Sequence, residues 1–111
     1  MKPHCLIMVK YILPALRAKV AEELIERGYR VKDAAEMLGL TQAAVSQYIR
    51  SKRGQKGKEI IEKSKKACEI IDELVNAIIA RRATMEDEVD YLCKICEVLR
   101  EEGIVEDKYA V

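Results

Sequence analysis

The sequence predicts an all-α fold, and three features carry that prediction. Apolar residues recur three and four positions apart through most of the 111 residues, the spacing that gathers them on one face of a helix. No stretch alternates apolar and polar residues long enough for a half-buried strand. The residues that break helices, five glycines and two prolines, fall mostly at the ends of the periodic segments, as helix starts and stops do.

The elements follow in order. Leu6 to Leu13 is an apolar run too short for periodicity to decide between a strand and a helical turn leading into Pro14. Pro14 suits the first turn of a helix, where a missing N–H costs nothing, and Gly28 suits the position just past its end. Between them Leu16, Val20, Ala21, Leu24 and Ile25 keep helical spacing, so a helix is expected over about 14–27. A shorter one, Val31 to Leu38, ends at Gly39, and Thr41 offers a hydroxyl cap to a third helix from Gln42 to about Lys52. Gly54-Gln-Lys-Gly57 reads as a break, and a long helix is expected from Lys58 to Arg82, its seam formed by Ile61, Ser64, Cys68, Ile71, Val75 and Ile78. Thr84-Met-Glu-Asp resembles a capping box opening a last helix to about Glu102, closed by Gly103. Its apolar stripe is expected to be Val89, Leu92, Cys93, Cys96 and Leu99, with Tyr91, Ile95 and Val98 off the stripe and available to a second chain.

Charge divides the chain at the same break. Residues 1–58 carry 12 Lys/Arg against 5 Asp/Glu, and residues 59–111 carry 8 against 14. A basic half joined to an acidic half suggests a polyanion-binding module attached to something with another role. The expected division is therefore 1–54 and 55–111. No apolar run approaches the roughly 18 residues of a membrane span, and no signal peptide is legible. The expectation is a cytoplasmic protein whose cysteines are thiols or metal ligands before they are disulfides.

The segment from Val31 to Arg50 has the spacing of a helix-turn-helix. Ala35 is small where two helices would touch, Gly39 can take the positive φ of the turn, and Val45 fills the space beneath the crossing. Leu38, Leu40, Tyr48 and Ile49 complete a small core, which leaves Gln42, Ala43, Ser46, Gln47 and Arg50 on the outer face of the third helix. That face suits a major groove. Glutamine makes a bidentate contact to adenine, alanine touches a thymine methyl, and serine donates or accepts. Arg50, Lys52, Arg53, Lys56 and Lys58 then supply five positive charges without an acid among them, a phosphate-positioning tract in which Lys52 and Arg53 are the leading candidates. The expected partner is double-stranded DNA.

The stretch Leu13 to Gly54, above all Ala35-Glu-Met-Leu-Gly-Leu-Thr-Gln-Ala-Ala-Val-Ser-Gln-Tyr-Ile-Arg-Ser-Lys-Arg-Gly54, resembles the lambda-repressor/Cro-like (XRE-type) helix-turn-helix regulators, and within them a set of small archaeal transcriptional regulators. The similarity extends to Pro3-His-Cys-Leu-Ile-Met-Val-Lys-Tyr-Ile-Leu-Pro14 and to a helix bearing Cys93-Lys-Ile-Cys96. It implies a DNA-binding domain in which Gln42 and Gln47 read bases, and a homodimer on a two-fold operator. The chain departs from that pattern at Val31, where many of the class carry a phosphate-contacting Gln, which leaves Lys32 or Thr41 for that role. Its tail also lacks the cysteine of the archaeal relatives.

The cysteines admit three readings. Cys93 and Cys96 lie three apart on one helix face and, with Cys5 and Cys68, could ligate zinc or an Fe–S cluster. They could equally be a redox pair, or small buried hydrophobes on apolar stripes. An enzyme is not expected: His4 is the single histidine, and no phosphate loop or nucleophile motif is present. The resulting expectation is an all-α transcriptional regulator, a helix-turn-helix DNA-binding domain followed by a two-helix C-terminal dimerisation region. The alternatives are a metal- or redox-sensing regulator and a helical protein-interaction module.

Overall fold

The computed structural model describes residues 7–50 and 54–105, and the described residues are helical without a strand. A π-helical turn, Met8–Ile12, runs into α1, Leu13–Glu26, followed by α2, Val31–Leu38, and α3, Gln42–Arg50. Then come α4, Gln55–Glu62, and α5, Lys65–Ile79, and a 3-10 turn, Met85–Asp87, leads into α6, Glu88–Glu101. Among the described residues no helix is long and apolar enough to cross a membrane.

Helix α1 is the centre. Ala15, Leu16, Ala18, Val20, Ala21 and Leu24 are all buried, and at 100° per residue these positions face several directions, as a helix packed on many sides requires. The other five helices all pack on it. Its charged residues survive at the edges by pairing: Lys19 with Glu62, Arg27 with Glu23, and Glu22 with Lys58.

Between α2 and α3 the chain turns on Gly39, which holds φ +74°. The N–H of Leu40 donates to the Ala35 carbonyl at 2.9 Å and that of Gly39 to Glu36 at 3.2 Å, the paired bonds that satisfy the last carbonyls of a helix ending in a left-handed residue. Helix α5 ends on the same two bonds with Arg81 in the left-handed position, φ +63°. The cap expected of Thr41 is present, its Oγ1 accepting from Ala44 N at 3.1 Å.

Three expectations for the second half are corrected. The single helix expected over 58–82 is two, because Ser64 leaves helical geometry (φ −120°, ψ 114°) and its hydroxyl accepts from Ala67 N at 3.1 Å, capping a new helix in a fully buried setting. The apparent seam of Ile61, Ile71, Val75 and Ile78 is buried within the chain itself, against α1 and α6, so it does not require a second copy. On α6 the buried line is Leu92, Ile95 and Leu99, while Cys93 is exposed and Val89 is 59% exposed. Leu92 and Leu99 fall on the expected stripe, and Ile95, expected off it and available to a second chain, is buried with them.

The break at Gly54–Gly57 is a packing site. Both glycines are buried, and the segments 1–54 and 55–111 share one apolar core that runs from Met8 to Val105. A Cβ on Gly57 would stand 1.9 Å from the Tyr11 carbonyl oxygen and 2.8 Å from the Ala15 Cβ. Alanine in place of a helical glycine would ordinarily stabilise by about 1 kcal/mol. Here the collision is with backbone that cannot swing aside, and overpacking of that kind costs about 3 kcal/mol or more. Gly57→Ala is therefore expected to lower stability by a net 2 kcal/mol or so, measured by urea unfolding; a stabilised variant would show that α4 is free to move off α1.

Candidate nucleic-acid interface

The α2–α3 pair sorts its side chains sharply. Ala35 at 3% exposure lies under the crossing, and Val45 and Leu38 are buried beneath it. Leu40, Tyr48 and Ile49 are half-buried against the same core. At about 1.5–3 kcal/mol for a fully buried Leu or Val, these anchors fix which side of α3 faces inward. Gln42, Ala43, Gln47 and Arg50 are left exposed, and Ser46 is half-buried beside them. Lys32 on α2 and Thr41 before α3 are exposed as well. The Thr41 oxygen is occupied as an acceptor, but its O–H remains able to donate to an anion. Seven of the nine residues assigned to a DNA contact thus lie on or beside the helix pair, six of them exposed and Ser46 half-buried, and Lys52 and Arg53 lie outside the described residues.

Behind α3 stands a contact that the sequence did not reveal. The Arg17 guanidinium on α1 donates from Nε and Nη2 to the two carboxylate oxygens of Glu88, at 2.8 and 2.7 Å. The same guanidinium lies 5.9 Å from the centre of the Tyr48 ring on α3. One cation therefore joins the first residue of α6 to the inner side of α3, across 71 positions of sequence. The Glu88 hydrogen bond raises the Arg17 pKa above its ordinary value, partly offset by burial and aided by the charges of Glu88 and Tyr48. A cation with a raised folded pKa keeps its contribution below the unfolded value while its partner carboxylate is ionised, and loses it as pH rises through the folded value, far above neutrality. Salt, and not pH in the neutral range, is the variable that tests the pair.

The loop before α6 lies near the turn, where a Cβ added at Gly39 would reach the Thr84 Cβ at 3.8 Å. Thr84 is itself locked by a reciprocal capping box, its N–H donating to Asp87 at 3.0 Å and its Oγ1 accepting from Glu86 N at 3.2 Å.

Three cysteines fall within the described residues. Cys68 is half-buried with its Sγ 3.6 Å from the Ile61 carbonyl, at the rim of a cleft shared with Lys19, Glu22 and Asp72. Cys93 is exposed and Cys96 half-buried on α6, and none of these three is in a disulfide. Among the described residues no group of three or more His, Cys, Asp or Glu side chains is arranged to hold a metal ion. Cys68 is not grouped with Cys93 and Cys96 among the described residues, and Cys5 lies outside them.

No protein-family model matches the chain, and no curated protein or solved structure matches it either.

The Arg17–Glu88 pair generates a prediction. Exposed ion pairs contribute about 0.2–1 kcal/mol, and the two-pronged geometry favours the upper end even after screening by solvent. A double-mutant cycle with Arg17→Met and Glu88→Gln, read by urea unfolding, should give a coupling of about 1 kcal/mol in low salt that shrinks at 1 M salt. A coupling near zero in low salt would mean that the two side chains are held by packing alone.

Proposed function

We propose that the protein is a sequence-specific DNA-binding transcriptional regulator whose recognition helix is α3. The observation that carries this is the polar outer face of α3: Gln42, Gln47 and Arg50 stand in solvent on a helix that is rooted by Val45, Tyr48 and Ile49. Two amides and a guanidinium on an immobilised helix match the donor and acceptor edges that base pairs present in a major groove. The same surface tells against a protein-interaction module, which would dock through apolar residues, and Ala43 is the single apolar residue among those fully exposed on α3. Lys32, Thr41, Lys52 and Arg53 are assigned to the phosphate backbone, where they fix position without reading sequence.

Gln42→Ala or Gln47→Ala should cost on the order of 1–3 kcal/mol on a selected site and little on random DNA. Lys52→Ala and Arg53→Ala should weaken both alike and flatten the salt dependence. Binding titrations on a selected and a scrambled duplex separate the two classes; equal losses on both duplexes from all four variants would defeat the assignment.

A single recognition helix specifies few base pairs, and a homodimer reading two half-sites about 34 Å apart supplies the rest. With the Ile61–Ile78 stripe buried within the chain, the large apolar residues left exposed for a second copy among the described residues are Val9 and Val89, at 48% and 59%. Sedimentation at tens of micromolar should give about twice 12.6 kDa, and Val89→Glu should shift it toward the monomer. A wild-type monomer at that concentration, free and on DNA alike, would remove the dimer.

A further inference from the structure

Two lysines from separate elements share one aromatic ring. The Lys10 ammonium, on the π-helical turn, lies 5.4 Å from the centre of the Tyr11 ring, and the Lys56 ammonium, in the first turn of α4, lies 4.9 Å from it. Both lysines are exposed, and among the described residues neither is in an ion pair. The contrast is local, because Lys58, two residues on, is paired with Glu22. A ring face attracts an ammonium only weakly at an exposed site, and it does not remove the repulsion between two like charges brought onto it.

Backbone packing imposes the arrangement. Gly57 is pressed against the Tyr11 carbonyl so closely that no side chain fits between them, which fixes the first turn of α4 beside the turn that carries Lys10. That turn is π-helical, a rare geometry that recurs at functional sites. Two ammonium groups gathered at one ring, 5.4 and 4.9 Å from its centre, suit an anion with several oxygens, and a phosphodiester is such an anion. The place decides the source. Helix α4 begins five residues after α3 ends, and Gly54 packs on the backbone of Pro14 and Ala15, so only a few residues of chain separate the cluster from the end of the proposed recognition helix.

We infer that Lys10 and Lys56, held on Tyr11, clamp the phosphodiester backbone of the same DNA, on the flank beyond the bases that α3 contacts. The inference rests on the reading of α3 as a DNA-recognition helix and extends the contact to residues outside the helix pair.

The full chain and its K10Q/K56Q variant are titrated with a selected and a scrambled duplex across 50–200 mM salt. Two lost phosphate contacts should make the slope of log affinity against log salt shallower by about 1.8, lower affinity by the same factor on both duplexes, and recover in K10R/K56R. Excess inorganic phosphate should not reproduce the loss. Gln47→Ala, by contrast, should keep the full slope while losing sequence preference. An unchanged slope in K10Q/K56Q, with wild-type binding intact, overturns the clamp and leaves the DNA reading standing. No binding by the wild type to either duplex at any salt overturns both. Because both lysines are exposed, the variant's unfolding midpoint should equal that of the wild type, which separates a lost contact from a lost fold.

Discussion

Every other helix is placed by its contact with α1, and the tightest of those contacts, Gly57 on the Tyr11 carbonyl and Ala15, admits one residue type. Backbone laid on backbone leaves no side chain to adjust, so the crossing of α4 over the start of α1 is fixed by sterics rather than by a balance of attractions. The crossing determines where the chain leaving α3 must re-enter the fold. With α3 also packed on α1 through Val45 and its neighbours, the helix is constrained along its inner face and at its exit. A face proposed to match the edges of base pairs needs that rigidity, because a misplaced amide loses the directional part of its hydrogen bond.

Packing and charge divide the work of holding α3. Val45 and Leu38, fully buried at about 1.5–3 kcal/mol each, outweigh the Arg17–Glu88 pair, which at its exposure contributes about 1 kcal/mol. Burial is non-directional, however, and tolerates small rotations of a helix. A guanidinium that meets both oxygens of Glu88 and also lies over Tyr48 has few alternative poses, so the pair defines orientation while the apolar contacts supply stability. Glu88 stands at the first turn of α6, where a carboxylate is favoured by the helix dipole, and this ties the C-terminal helix to the pose of the helix proposed to read DNA.

What was legible in the sequence was local. The limits of α2, the start of α3, the Gly39 turn and the Thr41 cap are all set by residues within five positions of one another, and each was anticipated from its own chemistry. The outward face of α3 followed by subtraction once Ala35, Val45 and Tyr48 were turned inward. What failed depended on long-range packing. Ser64 reads as one more member of a helical repeat until its hydroxyl is seen to cap α5. Gly54 and Gly57 read as a linker because composition does not distinguish a glycine needed for flexibility from one needed for close approach. The buried line of α6 keeps Leu92 and Leu99 of the expected stripe but differs at Val89 and Cys93, which are apolar yet face solvent, and at Ile95, which is buried. The Arg17–Glu88 contact and the Lys10–Lys56 cluster join residues that nothing in a single sequence links.

The division of charge along the chain also changes meaning once it is folded. Read linearly, a basic half precedes an acidic half. In space, the cations of α1 are engaged by carboxylates: Arg17 by Glu88, Lys19 by Glu62 and Arg27 by Glu23. Two of those three carboxylates, Glu88 and Glu62, come from the acidic half and neutralise the scaffold at the places where α6 and α4 cross α1. Lys10, Lys32, Arg50 and Lys56 are in no ion pair among the described residues, and they belong to the π-helical turn, the helix pair and the start of α4. A net charge of +1 is therefore compatible with polyanion binding, since the field a phosphate backbone meets is set by the unpaired cations near the approach and not by the sum over the chain.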